Sequence, residues 1–362
     1  MKSNINLFYV VHTLDDFSIN IGTPDGATNN NEEEAPAIAR EEDAGEALAS
    51  GANDIVVVKQ HDGSFQATTL QVKIGKMTNI KTIFRSREGR KAQIQVNNLL
   101  VLPETTIEIG DSGNAFFLRS ENGRNFTFTS DELAEMNLND GLNEAIFVVE
   151  ELNIRLNFSI FLLNQGNRLV FTDVDGTITT ADIKGYIAGE LGFDTHHEGV
   201  VELFEQIDKN GYTMIYLSAR PMGSFNEDTR EYLFEQLRPN DKGFSLPISP
   251  LFLSNVLLFE GISEASDPSA TKIATIRSIV EMFDLKEHVV SAGYGNQESD
   301  AQAYIKSGIE TRKIFMVNKQ SKMVNYGTGE PTSYKNQVEN VDTMYPKINP
   351  VNKPPRAGVT EL

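Results

Sequence analysis

The residues that most clearly suggest chemistry are Asp173 and Asp175, which flank a single valine at the end of an apolar run. The surrounding stretch reads LVFTDVDGTITTAD. Two carboxylates this close repel each other unless a cation or a shared proton relieves the repulsion. Mg²⁺ is suited to that task, because it prefers oxygen ligands and retains waters that a phosphate group can displace. The pair therefore predicts a magnesium site that meets a phosphate group.

The two carboxylates would divide the work of phosphoryl transfer. Asp173 could attack phosphorus as the nucleophile, while Asp175 could protonate the leaving oxygen and later activate a water molecule. Gly176 permits a sharp turn near the substrate, and Thr177 with the start of a helix could donate to phosphate oxygens. An Asp-Gly pair alone, however, most often marks a simple turn.

Further polar residues follow later predicted strands. Ser218 ends the next strand and Lys272 lies on a later helix, so both could hold phosphate oxygens, with Lys272 neutralising charge in the transition state. Asn296 and Asp300 follow the last of these strands, in the stretch GYGNQESD. Each residue alone has a simpler explanation, such as a helix cap or a solvated lysine. Their order along the chain favours one shared site.

Alternating strands and helices must position these residues. From about residue 166, strands alternate with helical patterns, which predicts βαβ units and a parallel sheet. One amphipathic helix is predicted around 197–211, and another begins at Pro268 with Asp267 as its cap. Ligands of open α/β sheets bind beyond the carboxyl ends of the strands, so we expect the polar residues to meet there.

The chain before this region has a different pattern. From Asp54 to about residue 164, short β-rich runs are bounded by Gly, Asn, Asp or Pro, and the first two form a predicted hairpin around His-Asp-Gly. This spacing is typical of a β-sandwich. Residues 1–51 are interpreted as an acidic tail and linker, and residues 347–362 as a disordered tail.

Composition argues against several classes of protein. A net charge of −19 disfavours nucleic-acid binding, which needs a cationic surface. The absence of cysteine excludes disulfides, thiolate zinc sites and cysteine nucleophiles, and it fits a cytosolic protein. No run approaches the roughly 20 consecutive apolar residues of a membrane-spanning helix, so we expect no transmembrane segment. A chain of 362 residues with 40% hydrophobic content predicts two domains.

The motifs resemble those of a known superfamily. DVDGT, a later hydroxyl, a later lysine and a last acidic loop are similar to the four motifs of the haloacid dehalogenase phosphotransferases. FTDVDGTIT, LSAR, TREYL and LFLS more closely resemble the catalytic domain of the lipins, the Mg²⁺-dependent phosphatidate phosphatases, and GNQESDAQAY resembles their last motif. DIVVVKQHDGSFQATTLQVKIGKM is similar to the lipin N-terminal segment. The resemblance covers roughly residues 52–120 and 155–320.

This resemblance implies an activity and a set of site residues. The chain would hydrolyse phosphatidic acid in a membrane surface to diacylglycerol and phosphate through an aspartyl-phosphate intermediate, with Mg²⁺ as its cofactor. Asp173 would be the nucleophile and Asp175 the acid/base. Phosphate would be bound by Thr177, Ser218, Ala219 and Lys272. The metal would be held by Asp173, the backbone carbonyl of Asp175, and Asn296 or Asp300.

The resemblance also implies a fold and a location. The fold would be α/β, with a Rossmann-like haloacid dehalogenase catalytic domain over 166–318. An immunoglobulin-like β-sandwich would be built from 52–165 together with the C-terminal segment 319–346. The protein would be cytoplasmic and peripheral on membranes of the endoplasmic reticulum or nuclear envelope. The basic run 73–91, with seven Lys or Arg and one Glu, could face anionic lipid, and so could the apolar stretch 5–17.

Two other functions remain open. A phosphatidate-sensing domain without activity is one, although a sensor has no need of Asp173. A phosphatase acting on a soluble metabolite or phosphoprotein is the other, although it leaves the N-terminal segment unexplained.

Two local features are also unresolved. The loop with Pro221 directly after Arg220 is one residue longer than the family pattern. His197 could approach the leaving group, but a surface position at a helix start is favoured.

Overall fold

The structure is a computed structural model, and it describes residues 50–75, 89–119, 123–180, 196–223, 226–237, 243–255 and 268–348. Residues Arg40–Leu362 form one compact unit. The strands described in this unit form a nine-stranded sheet, a seven-stranded sheet and a two-stranded sheet. The predicted N-terminal and C-terminal tails lie almost wholly outside the described residues.

The nine-stranded sheet comes from the N-terminal part of the chain. Its strands are β2 (Ile55–Lys59), β3 (Phe65–Ala67), β5 (Lys91–Val96), β6 (Leu99–Val101), β7 (Ile107–Ile109), β8 (Ala115–Leu118), β9 (Arg124–Asn125), β10 (Gly141–Val149) and β11 (Ile154–Asn164). The two-stranded sheet pairs β1 (Gly51–Ala52) with β4 (Val72–Lys73). Helix α1 (Ser130–Glu135) precedes β10 and begins at a capping box made by Thr129 and Glu132.

This sheet is folded over a single apolar core. The strand order is β3-β2-β11-β10-β5-β7-β8-β9, with β6 beside β5. Ile55 and Val57 near one end of that order share a buried cluster with Phe117 near the other end. Strands distant in the order reach one core only if the sheet curves back on itself. The predicted hairpin is confirmed, because β2 and β3 pair antiparallel.

The seven-stranded sheet comes from the rest of the chain. Its order is β14-β13-β12-β15-β16-β17-β18. Its strands are β12 (Leu169–Asp173), β13 (Thr213–Pro221), β14 (Leu251–Ser254), β15 (Val290–Gly295), β16 (Ile314–Val317), β17 (Met323–Asn325) and β18 (Pro331–Thr332). The strands from β12 to β16 pair in parallel, with β12 in the middle. This is a doubly wound order, which confirms the predicted α/β class.

Helices flank the second sheet. They are α2 (Val200–Lys209), α3 (Asn226–Glu231), α4 (Pro268–Val280), α5 (Lys286–Val289), α6 (Glu298–Lys306), α7 (Tyr334–Glu339) and α8 (Val341–Met344). A π-helical turn (Tyr232–Gln236) continues α3, and 3₁₀ turns cover Glu150–Leu152 and Thr311–Lys313. The helices predicted around 197–211 and from Pro268 are both present.

The C-terminal segment 319–346 lies on the second sheet, which corrects the prediction that it completes the first. Strand β17 pairs antiparallel with β16, and β18 pairs with β17. Helix α7 packs on α2, and Tyr334 and Tyr345 are buried in the same core as Phe204. The physical reason is that these strands cover the edge of β16 while the aromatic rings bury apolar surface against α2 of the second region.

Strand β2 joins the two sheets. Ile55 and Val57 face the core of the first sheet, while Val56 and Val58 face a separate cluster that includes Leu169 and Phe283 from the second region. A strand buried on both faces reads as a continuous apolar run, as IVVV does here. The last strand of the first sheet ends at Asn164 and the central strand of the second begins at Leu169, and the two sheets share a buried interface.

Candidate active site

The carboxyl ends of β12, β13 and β15 bring the predicted site residues together. Asp173 is the last residue of β12, Ser218 lies in β13, and Asn296 directly follows β15. Helix α4 passes this edge and contributes Lys272, which contacts Asp173. The arrangement follows from parallel pairing, because parallel strands end at the same edge of a sheet.

A buried lysine is shared between two carboxylates. Lys272 Nζ donates to Asp173 Oδ1 at 2.5 Å and to Asp300 Oδ1 at 2.6 Å. Burial disfavours the charged amine, but the two carboxylates outweigh burial and raise the pKa of Lys272. Burial also raises the pKa of Asp173, and Lys272 opposes that rise. Lys272 is therefore a fixed positive charge beside the proposed nucleophile.

Asp173 is also held from its own loop. Thr177 Oγ1 donates to Asp173 Oδ2 at 3.0 Å, and Thr177 is fully buried. Gly176 adopts φ +84°, a left-handed conformation that favours glycine. Its N–H donates to Thr179 Oγ1 at 3.0 Å. The DVDGT stretch is thus a tight turn whose hydroxyls orient the carboxylate and the backbone.

The Asp175 carboxylate accepts hydrogen bonds from two residues of β13. Ser218 Oγ donates to Asp175 Oδ2 at 3.1 Å. Arg220 donates from Nη2 to Asp175 Oδ1 at 2.7 Å and from Nε to the same oxygen at 3.1 Å. The pairing with β14 slips between Ser218 and Pro221, which is a bulge, and bulges redirect side chains. Ala219, predicted to bind phosphate, is exposed within this bulge.

Sequence reasoning did not predict Arg220 as a site residue. The available signal was its position, because residues two apart on a strand share a face and Ser218 was already a candidate. The contacts made by Arg220 differ from those of a solvated surface arginine, since it reaches a buried carboxylate through two nitrogens.

Asn296 and Asp300, which follow β15, differ in whether their side-chain oxygens have hydrogen-bond partners. Asp300 Oδ2 accepts from the backbone N–H groups of Asn296 and Gln297, at 3.1 and 3.0 Å, while Oδ1 accepts from Lys272. Both oxygens of Asp300 are therefore engaged within the protein. By contrast, within the described part of the chain, Asn296 Oδ1 is buried and has no hydrogen-bond partner. A buried acceptor without a donor is costly, and a cation would satisfy it.

The described side chains at this edge of the sheet carry an excess of negative charge that a bound cation would neutralise. Among the residues that the structure describes around the catalytic turn, three carboxylates, Asp173, Asp175 and Asp300, face two cations, Lys272 and Arg220. The same described ranges contain no group of three or more His, Cys, Asp or Glu residues that could hold a metal ion. A metal here would therefore depend on amide and backbone carbonyl oxygens as well as carboxylate.

His197 contacts the DVDGT turn at the Gly176 carbonyl. It is fully buried, so the predicted surface position is wrong. Burial lowers the pKa of His197, which favours the neutral ring. The contact of Nε2 with the Gly176 carbonyl at 3.2 Å makes Nε2 the donor, so Nδ1 accepts from Ser321 Oγ at 2.8 Å. Tyr334 OH donates to the Thr177 carbonyl at 2.8 Å and braces the same turn.

The doubly wound sheet thus carries an aspartate pair after its central strand and a buried lysine beside it, an arrangement suited to phosphoryl transfer. The sequence profile of LNS2 (Lipin/Ned1/Smp2) matches residues 124–346, more than half of the chain, and the profile of the lipin N-terminal conserved region matches 42–137. The chain therefore belongs to the LNS2 (Lipin/Ned1/Smp2) family.

Named relatives agree with this assignment. Phosphatidate phosphatase LPIN2 of Mus musculus is 31% identical over 259 residues, which cover 70% of this chain and 28% of that protein. Phosphatidic acid phosphohydrolase 1 of Saccharomyces cerevisiae is 30% identical over 242 residues, which cover 62% and 28%. The chain thus spans about a quarter of the length of the curated relatives it matches.

A solved structure gives a weaker likeness. The cobalt-bound deoxy-D-mannose-octulosonate 8-phosphate phosphatase of Haemophilus influenzae covers 50% of this chain and 90% of its own, with 12% identity. Its TM-score of 0.26 is too low to show a shared fold.

Proposed function

We propose that this protein is a phosphatidate phosphatase, which hydrolyses phosphatidic acid to diacylglycerol and phosphate. The observation that carries the proposal is the buried contact of Asp173 with Lys272. Asp175, separated from Asp173 by a single valine, is held by Ser218 and Arg220. Relatives named phosphatidate phosphatase supply the substrate. A domain that only senses phosphatidate would not need a nucleophile poised in this way.

We place a divalent cation at this site. Its ligands would be the Asp173 carboxylate, the Asp175 backbone carbonyl and Asn296 Oδ1, whose missing partner is the structural support for the assignment. Asp300, also predicted as a ligand, holds Lys272 and the loop in this structure and stays a proposed ligand, since Asp173 likewise has both oxygens engaged. An all-oxygen set favours Mg²⁺ over zinc. When bound, the cation supplies positive charge beside Asp173 and the phosphate.

The side chains then have defined roles in two steps. First, an Asp173 oxygen forms a bond to phosphorus as the bond to the glycerol oxygen breaks, and Asp175 gives its proton to that oxygen. Second, a water oxygen bonds to phosphorus as the bond between phosphorus and the Asp173 oxygen breaks, and the water passes a proton to Asp175. Phosphate leaves, with Asp173 again a carboxylate and Asp175 again protonated. Lys272 and Ser218 stabilise charge on the transferring group, together with donors from the Thr177 and Ala219 backbone.

The substrate places the reaction at a membrane surface. Phosphatidate keeps its acyl chains in the bilayer, so the enzyme must dock and take the headgroup in place. Across the described ranges, no helix is long and apolar enough to cross a membrane. Residues 5–17 and most of the basic run 73–91 lie outside the described residues, and their docking role remains a prediction. The cytoplasmic face of the endoplasmic reticulum or nuclear envelope is the proposed location.

We also infer finer fold assignments. The first sheet curves over one buried core, and its two longest strands, β10 and β11, pair antiparallel. This supports an immunoglobulin-like sandwich built from the N-terminal part of the chain alone. The second sheet with β17 and β18 at its edge supports a haloacid dehalogenase-like catalytic region that extends to about residue 346.

Phosphate release from phosphatidate in mixed micelles, with and without Mg²⁺, tests the function. We expect release that stops with a chelator and returns with Mg²⁺. A soluble glycerol phosphate serves as the comparison substrate. Binding to phosphatidate vesicles without phosphate release would support the sensor instead, and a higher kcat/KM on the soluble ester would support a metabolite phosphatase.

A further inference from the structure

Strand β1, which leads into the first sheet, is packed against the short helix α3. Asn226 at the start of α3 donates from Nδ2 to the Ala52 carbonyl at 2.8 Å, and its Oδ1 accepts from Gly223 N–H at 2.7 Å. There is no space for a side chain at Gly51, since a Cβ there would lie 2.2 Å from Asn226 Oδ1 and 3.0 Å from Gly223 Cα. The contact between β1 and α3 is therefore close and specific.

A buried ion pair fixes the other end of α3. Arg230 Nη2 donates to Asp54 Oδ1 at 2.6 Å, and Asp54 is almost completely buried. Asp54 also accepts from Ser159 N–H at 2.7 Å and from Leu251 N–H at 2.9 Å. It thus connects α3 to a strand of each large sheet. A buried carboxylate with this many partners cannot move without losing them.

The residue between these two anchors reaches the active site. Thr229 on α3 is fully buried, and its Oγ1 accepts from Arg220 Nη1 at 3.1 Å. The remaining nitrogens of Arg220, Nε and Nη2, donate to Asp175. Because the guanidinium is planar and rigid, fixing one corner at Thr229 sets the direction in which the other edge presents itself to Asp175.

We propose that residues 51–54, which include β1 and lead into the first sheet, position the acid/base carboxylate of Asp175 through α3, Thr229 and Arg220. This inference rests on the proposed function, in which Asp175 protonates the leaving oxygen. Arg220 and Thr229 are positioning residues in this account, since Asp175 alone transfers the proton. A carboxyl group held in the wrong orientation loses part of the rate gain of general acid catalysis.

The dependence of rate on the leaving group distinguishes positioning from a merely structural role. An alkyl phosphate releases a strongly basic alkoxide unless it is protonated, whereas p-nitrophenyl phosphate releases a stable anion that needs no acid. Misplacing Asp175 should therefore slow the alkyl ester more than the aryl ester. General damage to the fold, to phosphate binding or to the nucleophile should slow both esters together.

The decisive comparison uses Thr229→Val, which removes the hydroxyl at nearly constant volume, with Thr229→Ser as the matched control that keeps it. We expect Thr229→Val to lower the ratio of kcat on glycerol phosphate to kcat on p-nitrophenyl phosphate by about tenfold. Thr229→Ser should keep the ratio near wild type. Equal losses on both esters, or no loss in Thr229→Val, would overturn the proposal.

A second variant tests whether the effect originates at β1. Gly51→Ala lies outside the site but should push Asn226 and α3 away, so we expect the same selective loss on the alkyl ester. An unchanged ratio in a folded Gly51→Ala protein would contradict the link to β1. Wild-type protein that hydrolyses both soluble esters but not phosphatidate would refute the proposed lipid substrate, while the Thr229 comparison would still decide the positioning role.

Discussion

At the scale of single residues, the site is organised around paired charges that are largely buried. Lys272 stabilises Asp173 and Asp300 at once, and Arg220 does the same for Asp175. Removing one partner of a buried pair leaves the other charge uncompensated, which is strongly destabilising. At this site, and within the described residues, the Oδ1 atom of Asn296 is buried and has no hydrogen-bond partner. The metal site is therefore best probed there.

Asn296→Ala should raise the Mg²⁺ concentration required for half-maximal activity by at least about tenfold, because it removes one oxygen ligand. Lys306→Ala, an exposed change on the neighbouring helix α6, is the control and should leave that concentration unchanged. The measurement is a Mg²⁺ titration of phosphate release. An Asn296→Ala enzyme with wild-type Mg²⁺ dependence would remove Asn296 from the ligand set.

His197 should make stability depend on pH in a defined window. Its pKa is lowered in the folded state, so the unfolded chain takes up a proton first as pH falls below about 6.5, and stability is lost there. Above that pH both states are neutral and His197 contributes no slope. We expect His197→Gln to lose less stability between pH 7 and pH 5 than wild type, measured by urea unfolding. Parallel slopes in the two proteins would contradict the assignment.

At the scale of secondary structure, the C-terminal segment braces the catalytic turn. Tyr334 on α7 is fully buried against Phe204 and Tyr294 and donates to the Thr177 carbonyl. Tyr334→Ala should therefore cost roughly 3 to 5 kcal/mol, as large aromatic truncations do. Met344→Ala on α8, where the side chain is partly exposed, should change stability by under about 1 kcal/mol.

Hydrogen exchange locates the effect of that truncation. Tyr334→Ala should lower protection in β12 and β15, beside which the ring packs, and leave β5 in the first sheet unchanged. Loss of protection in β5 without loss in β12 would instead support membership of segment 319–346 in the first sheet.

The helices and strands were largely predictable from the sequence, but the tertiary contacts between them were not. Helix α2 follows a 3.6-residue pattern and β2 is a continuous apolar run, so local sequence identifies both. The aspartate pair, Ser218 and Lys272 were predicted from order along the chain, and the structure brings them together. Which sheet 319–346 would join depends on contacts with α2 that lie far away in sequence, and no local pattern encodes them.

The contacts of Arg220 at the site also depend on tertiary packing that the local sequence does not reveal. Its side chain reaches Asp175 on one side and is held by Thr229 at its far corner. Both features arise from tertiary packing and not from residue type. Likewise, the burial of His197 depends on Ser321, which is distant in sequence and contributes its partner.

At the scale of the whole molecule, the two large sheets should unfold together. Val56 and Val58 place β2 in the same buried cluster as β12 and α4, so neither region can lose its fold without exposing apolar surface on the other. We expect one transition in urea, with the same midpoint by tyrosine fluorescence and by circular dichroism. Two separated transitions would show that the regions are independent domains.

Val58→Ala should lower that shared midpoint, because it creates a cavity between the regions. The expected cost is roughly 1 to 3 kcal/mol. Leu99→Ala, a control on an exposed side chain of the first sheet, should leave the midpoint unchanged. Separation of the two probes in Val58→Ala alone would indicate that this contact is what couples the sheets.

The central claim is that Asp173 attacks phosphorus, and trapping the intermediate tests it most directly. Protein mixed with phosphatidate and Mg²⁺ is quenched in acid within the first turnovers, digested, and examined by mass spectrometry. We predict a phosphoryl group on the peptide that contains Asp173, released by hydroxylamine and absent from Asp173→Asn. Phosphate release by a folded Asp173→Asn protein, or turnover of the wild type without any phosphorylated peptide, would contradict the account.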